Sequence, residues 1–215
     1  MRIAIVSDYY LDYVGGAQTS MRAQRAALEA AGHEVLMIAP ERAARRHERH
    51  PGGLALHPSW TVPGLRLPVL RDTAALRALI GGLLTGRGVE VVHLQSEFGV
   101  AHAATAAARA AGIPVVHTVH TFYWQSTGVV PTLAAPLVGL FLRLLLGGPI
   151  GDTPLSARPA DSMLRNVTLG MAELADVVVS PSAHQARDLT AALVERPVAV
   201  VPNPVPPAGR ATSPP

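Results

Sequence analysis

The sequence contains no cysteine and no lysine. The missing cysteines exclude a disulfide scaffold, a thiolate metal site and a cysteine nucleophile. All 18 cationic side chains are arginine, which excludes Schiff-base, amine-nucleophile and P-loop lysine chemistry. Aromatic residues make up only 4% of the chain, so aliphatic side chains must build any core. Charged residues are also few, and a formal net charge of +3 is too small to predict binding to nucleic acid.

Hydrophobic residues, in contrast, make up 49% of the 215 residues. This length and composition predict one folded domain with an ample core. Residues 3–6 are too short for the apolar region of a signal peptide, so we expect none. The apolar stretch 133–146 is interrupted by Arg143 and falls short of the roughly 20 residues that span a bilayer. A buried core helix is predicted there, and a helix lying on an interface is the alternative.

Short β-branched runs alternate with helical stretches along the chain. The predicted strands are residues 3–6, 35–39, 90–94, 114–119, 176–179 and 198–201, and the predicted helices are 17–31, 101–111 and 183–193. Gly32 and Gly112 follow two of these helices, as is typical of helix C-termini. Nearly continuous apolar strands separated by helices predict a single α/β domain. We expect a doubly wound, Rossmann-like parallel sheet of about six or seven strands.

Two regions do not fit this alternation. Residues 42–50 are a basic run, for which a solvated loop is predicted, with attraction to anionic lipid or an acidic substrate as the alternative. Residues 202–215 are rich in proline and are predicted to be a linker or disordered tail.

Ligands of open parallel sheets bind where the strands end. Gly15 and Gly16 stand between the first predicted strand and the first helix, where glycine lets the backbone approach a ligand and free amides attract phosphate. A simple flexible turn is the alternative, because the Gly-x-Gly-x-x-Gly fingerprint is absent. His117 and His120 are three residues apart and should point to opposite faces of an extended strand. They are therefore poor ligands for one metal, none is predicted, and His120 is the better site candidate.

Several motifs occur along the chain in the same order as in one known family. They are the opening 1–6, Tyr9, Asp12, Gly15, Gly16, Gln18, 31–35, 91–96, 114–121, 175–182 and 200–204. Together they resemble the amino-terminal half of the family 4 glycosyltransferases of the GT-B class, and are similar in spacing to phosphatidylinositol mannosyltransferases. The resemblance covers about residues 1–205, leaving 206–215 as a tail or a shortened linker. The family usually has Pro-Asn-Gly where this chain has Pro204 after Asn203.

The resemblance implies retaining transfer of a hexose from a nucleotide diphosphate sugar to a lipid or small-molecule acceptor, without a further cofactor. It also implies a role for each candidate residue. His120 would be the catalytic residue touching the transferred sugar. Gly15, Gly16 and Thr121 would bind the donor, and Tyr9, Asp12, Gln18 and Glu97 would line the acceptor site.

The donor-binding half of the family is not recognisable in this sequence. Its diphosphate-binding basic residue and its Glu-x7-Glu element have no counterpart after Asn203. The chain is expected to be a truncation, a split gene product or a natural half that is inactive alone and needs a separate donor-binding partner. We expect it in the cytoplasm, with a peripheral contact to the inner face of the membrane as a further expectation. The alternatives are a non-catalytic sugar- or lipid-binding module and an inactive fragment.

Overall fold

A computed structural model of the chain describes residues 1–13, 15–42, 53–58, 60–62, 67–121, 123–124, 128, 130–192 and 196–203. The strands are β1 Arg2–Val6, β2 Glu34–Pro40, β3 Leu54–Leu56, β4 Trp60–Val62, β5 Leu67–Val69, β6 Val91–Leu94, β7 Val115–Thr118, β8 Val177–Ser180 and β9 Val198–Val200. The α-helices are α1 Gly16–Ala30, α2 Ala74–Gly86, α3 Gly99–Ala110, α4 Ala135–Leu146, α5 Pro159–Leu174 and α6 Ala183–Ala192. Every strand and helix predicted from the sequence is present, with ends that shift by one or two residues.

The main sheet has seven strands in the order β3-β2-β1-β6-β7-β8-β9. Every neighbouring pair in it is parallel. The prediction of a doubly wound, Rossmann-like parallel sheet is therefore confirmed. The strand order runs outward in both directions from β1 and β6, so the reversal between these two strands marks the crevice where such sheets bind ligands.

The core lies between the sheet and the helices that cover it. Ile5 and Val6 of β1 and Leu94 of β6 are completely buried. Helix α3 buries eight residues, most of them alanine, and these small side chains let it lie close to the sheet and to α2. The predicted C-terminal glycines are confirmed, because Gly32 and Gly112 have φ values of 84° and 67° that other residues rarely adopt.

Helix α4 departs from its prediction as a buried core helix. Its buried side is formed by Leu142, Leu145 and Leu146, which pack against residues of α5 such as Leu164 in a second apolar cluster. Its other side, with the 3₁₀ turn Thr132–Ala134 before it, is exposed. The exposed leucines and their exposed fractions are Leu133 97%, Leu137 73%, Leu140 56% and Leu144 49%.

The exposed leucines are spaced four, three and four residues apart, so they form one stripe along the helix. Trp60 of β4 is 52% exposed and meets the ring of Phe141 edge to face, with 6.3 Å between ring centroids. Strands β4 and β5 form a separate antiparallel ribbon that holds Trp60 beside the helix. No helix within the described residues is long and apolar enough to cross a bilayer.

Both of the predicted irregular regions fall largely outside the described residues. Of the basic run 42–50, the structure describes Arg42 alone, and of the proline-rich end it describes residues 202 and 203. The tail at 206–215 thus stays a prediction.

Candidate functional site

The candidate site lies at the carboxyl edge of the sheet, where the chain leaves β1 and β6. The two strands are hydrogen-bonded neighbours, so the loops that follow them meet. Asp8, Ser96 and Glu97 in these loops are almost fully buried, with exposed fractions of 1–2%. Buried polar groups have to be paired within the protein or by a ligand, so their partners define what remains open at this edge.

Asp8 caps the amino terminus of α3. Its carboxylate accepts hydrogen bonds from the Ser96 hydroxyl at 2.7 Å and from the backbone amides of Phe98, Val100 and Ala101 at 3.1, 2.7 and 3.3 Å. Burial raises the pKa of Asp8, while these hydrogen bonds act in the opposite direction. The carboxylate takes the place at the helix start that an anionic ligand would otherwise occupy. Sequence reasoning missed this role, because its donors lie about ninety residues away.

The start of α1 is arranged differently. Among the described residues, α1 has neither a side-chain cap nor an acidic residue in its first turn. A Cβ atom on Gly16 would meet no described atom within 4 Å, whereas one on Gly15 would lie 2.5 Å from Oε1 of Gln18. The side chain of Gln18 is buried and folds back over Gly15. The first turn of α1 therefore keeps both the space and the backbone donors that an anion would need.

His120 lies two residues beyond the end of β7 and is partly exposed. Its Nε2 is 2.6 Å from Oε1 of Gln95, and Nε2 of Gln95 donates to Oε1 of Gln24 at 2.8 Å. Burial lowers the pKa of His120 to about 4. The imidazole is therefore neutral at pH 7 and can act as a hydrogen-bond donor or acceptor rather than as a charged acid.

Two other histidines of this region, His117 and His93, lie deeper in the protein than His120. His117 is completely buried, and burial lowers its pKa to about 3. Its Nε2 lies 3.8 Å from Oε1 of Glu97, and burial together with the nearby Asp8 raises the pKa of Glu97 to about 8. Both groups are therefore mostly neutral at pH 7. His93 is also buried and contacts the Thr118 hydroxyl at 2.7 Å.

Two of the candidate residues meet across the edge, because the Tyr9 hydroxyl lies 3.4 Å from Oγ1 of Thr121. The Tyr9 ring packs edge to face on Phe98, with 6.4 Å between centroids. Burial and the neighbouring Glu97 raise the pKa of Tyr9 well above its ordinary value, so its hydroxyl stays protonated. Glu97 itself is only 1% exposed, which places it within the wall of the site rather than on its surface.

Asp12 is the candidate that the structure holds in a separate cluster. Its carboxylate lies 3.7 Å from Nε of Arg42, and the Arg42 guanidinium stacks over the Tyr10 ring at 5.1 Å. A carboxylate engaged by a cation is less available to an acceptor hydroxyl. Its predicted acceptor role stays a prediction.

A further contact that sequence reasoning missed joins α1 to the end of the described chain. The Ser20 hydroxyl donates to Oδ1 of Asn203 at 2.9 Å. Asn203 follows β9 at the same carboxyl edge, so α1 contacts both the strand ends and the segment that leaves the sheet. Within the described residues, no group of three histidine, aspartate or glutamate side chains could hold a metal ion.

The fold and this edge define a Rossmann-like domain with a ligand crevice at the strand-order reversal. The sequence matches the model of Glycosyltransferase Family 4 over residues 14–208, and the chain belongs to this family. The resemblance found in the sequence motifs is thereby confirmed.

Two curated relatives and one solved structure illustrate the similarity. The alpha-monoglucosyldiacylglycerol synthase of Acholeplasma laidlawii is 32% identical over 133 residues, covering 62% of this chain and 33% of its own length. The GDP-mannose-dependent alpha-mannosyltransferase of Mycobacterium tuberculosis is 32% identical over 134 residues, covering 56% of this chain and 32% of its own length. The UDP-GlcNAc 2-epimerase of Methanocaldococcus jannaschii superposes with a TM-score of 0.51 at 13% identity, covering 94% of this chain and 46% of that structure. That last likeness concerns the fold alone, and the chain spans about a third of the length of both curated relatives.

Proposed function

We propose that this chain forms the acceptor-side half of a retaining glycosyltransferase. In this proposal a hexose moves from a nucleotide diphosphate sugar to an acceptor when a donor-binding half completes the crevice. The match to Glycosyltransferase Family 4 over residues 14–208 is the observation that supports it most. Half-enzyme status is part of the proposal, because positioning of the reacting carbon needs both walls of such a crevice.

The residues at this edge take the following roles in the proposal, and their geometry is compatible with them. The start of α1 at Gly16 offers backbone amides and open space to the diphosphate. His120 offers a neutral imidazole to the sugar, and Tyr9 with Thr121 offers a pair of hydroxyls. An oxocarbenium-like transition state and a departing diphosphate need such fixed dipoles.

A lipid acceptor is favoured by a second feature, the exposed leucine stripe of α4. The four leucines and Trp60 form an apolar surface of a kind that soluble domains seldom leave uncovered. An aliphatic helix face with a tryptophan beside it fits the boundary between headgroups and acyl chains. The name of the Acholeplasma laidlawii relative refers to a diacylglycerol. These features favour a peripheral membrane contact, and we propose the cytoplasmic face for it, where a lipid acceptor could enter the crevice.

The proposal is tested by a transfer assay with separate halves. The purified chain is mixed with UDP-glucose or GDP-mannose and with vesicles containing diacylglycerol or phosphatidylinositol. One arm contains the chain alone, and another adds the carboxyl-terminal half of the Acholeplasma laidlawii relative. We expect sugar transfer only in the second arm.

His120→Ala should reduce that transfer by about a hundredfold or more. The matched control is His57→Ala, which removes an exposed histidine in the segment between β3 and β4 and should leave the rate unchanged. Transfer by the chain alone would contradict its half-enzyme status. Lipid or sugar binding without transfer in any arm would identify a binding module instead.

A further inference from the structure

The side chain of Gln95 links helix α1 to His120, the candidate catalytic residue. Gln95 is the first residue after β6 and is 1% exposed. Its carbonyl oxygen lies 2.6 Å from His120 Nε2, and its amide group donates to Gln24 Oε1 at 2.8 Å. Gln24 belongs to α1, which begins at Gly16. The glutamine amide is thus held at both ends, with its acceptor toward the imidazole.

This contact has a consequence for the protons of the imidazole. A neutral imidazole carries one N–H and one lone pair, and the partner of either nitrogen decides which is which. An amide oxygen can only accept a hydrogen bond, so Nε2 of His120 has to carry the proton. The lone pair then lies on Nδ1. Because burial lowers the pKa of His120 to about 4, the imidazole is neutral around pH 7. Only the nitrogen that carries its single proton can then differ.

We propose that Gln95 is a positioning residue that fixes His120 as the Nε2–H tautomer and leaves Nδ1 as a hydrogen-bond acceptor. An acceptor at this place would favour a ligand group that donates, and a sugar hydroxyl is such a group, whereas a carbonyl or phosphate oxygen is not. The consequence for sugar transfer rests on the proposed function. The tautomer itself does not, since it follows from contacts within the chain.

Gln24 supplies the orientation that makes the assignment specific. If the Gln95 amide turned over, its NH₂ group would face His120 Nε2, and the opposite tautomer would be favoured. As long as Gln24 keeps Oε1 toward Gln95, that arrangement is disfavoured, because two amide oxygens would then face each other. Both glutamines are therefore expected to matter, although Gln24 is farther from the site.

The tautomer can be measured directly by long-range ¹⁵N–¹H NMR of the histidine rings at pH 7. His120 is assigned by the signals that disappear in His120→Ala. The wild-type chain should show His120 protonated at Nε2. Gln95→Leu and Gln24→Leu should each produce a mixture of tautomers, whereas Gln95→Glu keeps an acceptor against Nε2 and should keep that nitrogen protonated. Gln24 is only partly buried, so its variant keeps the test meaningful if Gln95→Leu does not fold.

A wild-type His120 protonated at Nδ1, or an unchanged tautomer in both leucine variants, would overturn the inference. A second readout is kcat/KM for transfer in the assay with separate halves. Gln95→Leu should lower it at least about tenfold through a misplaced imidazole, and Gln95→Glu should restore part of the loss. The expected tautomer without any transfer would contradict the proposed function and leave this inference standing. Transfer that is unaffected by Gln95→Leu would contradict this inference and leave the proposed function standing.

Discussion

Helices α1 and α3 both begin with a glycine at the carboxyl edge of the sheet, yet the two glycines meet different surroundings. A Cβ atom on Gly99, the first residue of α3, would lie 2.0 Å from the backbone oxygen of Leu70. A Cβ atom on Gly16, the first residue of α1, would meet no described atom within 4 Å. The amides at the start of α3 are taken by the buried Asp8. Glycine at position 99 is thus required by packing, whereas nothing described in the chain requires it at position 16.

The contrast separates a structural helix start from a candidate binding site. Asp8 neutralises the positive end of the α3 dipole, so that end holds no position for a second anion. The corresponding end of α1 has no such partner among the described residues. This difference supports the proposal that a diphosphate binds at α1, and substitutions at the two helix starts test it.

The largest effect is expected for Asp8→Ala. The variant leaves the buried amides of α3 and the Ser96 hydroxyl without their acceptor, and each unpaired donor costs about 1–3 kcal/mol. We expect the free energy of unfolding to fall by about 4 kcal/mol in urea titrations. Asp152→Ala, in an exposed loop, should change it by less than about 0.5 kcal/mol. Equal stabilities of the two variants would show that Asp8 does not hold α3.

A slightly smaller effect is expected from one added methyl group. Gly99→Ala forces a Cβ atom against the Leu70 backbone and should lower the free energy of unfolding by about 3 kcal/mol. Gly16→Ala should leave it unchanged or raise it by up to about 1 kcal/mol, because alanine favours helix and finds open space. Thermal unfolding of both variants measures the difference. If both variants lost the same stability, the two helix starts would not differ as described.

The buried titratable groups predict how stability depends on pH. Burial lowers the pKa of His93, His102 and His120 to about 4 and that of His117 to about 3, from 6.5. Unfolding therefore takes up protons below about pH 6.5, and stability should fall on acidification by up to about 1.4 kcal/mol per pH unit for each histidine. Glu97, with a pKa raised from 4.5 to about 8, acts in the opposite sense and lowers stability as pH rises toward 8.

Asp8, whose pKa burial also raises, acts in the same sense as Glu97. Because the four histidines outweigh these two carboxyl groups, we expect maximal stability near pH 6–7 and a loss of more than about 2 kcal/mol on going to pH 5. Urea unfolding at pH 7, 6 and 5 measures this. A stability that is flat or increasing toward pH 5 would mean that these histidines are not buried in the neutral form.

The smallest effect on stability is expected at the leucine stripe. Leu137→Glu combined with Leu140→Glu alters side chains that are 73% and 56% exposed, so unfolding should change by less than about 0.5 kcal/mol. Binding to phosphatidylglycerol vesicles should weaken about a hundredfold, because each leucine buried in lipid contributes about 1.5–3 kcal/mol. Leu79→Glu, on α2 and 51% exposed, serves as the control. Unchanged vesicle binding of the double variant would exclude the stripe as a membrane contact.

The sequence allowed the parallel sheet to be predicted because apolar β-branched runs such as β7 alternate with helical stretches, which is typical of a parallel sheet covered on both faces. It did not allow α2 to be predicted, since Gly81, Gly82 and Gly86 weaken its helical pattern. There, Thr73 caps the helix by accepting from the Leu76 amide, and packing against α3 completes it.

The residues of the candidate site also fall into two groups, those that the sequence indicated and those that it did not. Gly16 and His120 could be found because they follow strands in short local motifs. The roles of Asp8 and Gln95 could not, because their partners lie up to 93 and 71 residues away. Pairing over such distances is created by the fold, and no local pattern in one sequence indicates it.

Binding of nucleotide sugars to the two halves together decides whether the first turn of α1 holds a diphosphate. Gly16→Val fills the open space at the start of α1 and keeps the backbone out of close contact with a diphosphate. Gly82→Val places the same side chain in open space on α2. Titration calorimetry with UDP-glucose and GDP-mannose should show binding weakened at least about tenfold, or 1.4 kcal/mol, by Gly16→Val and unchanged by Gly82→Val. Equal affinities for the two variants would show that the first turn of α1 is only a turn.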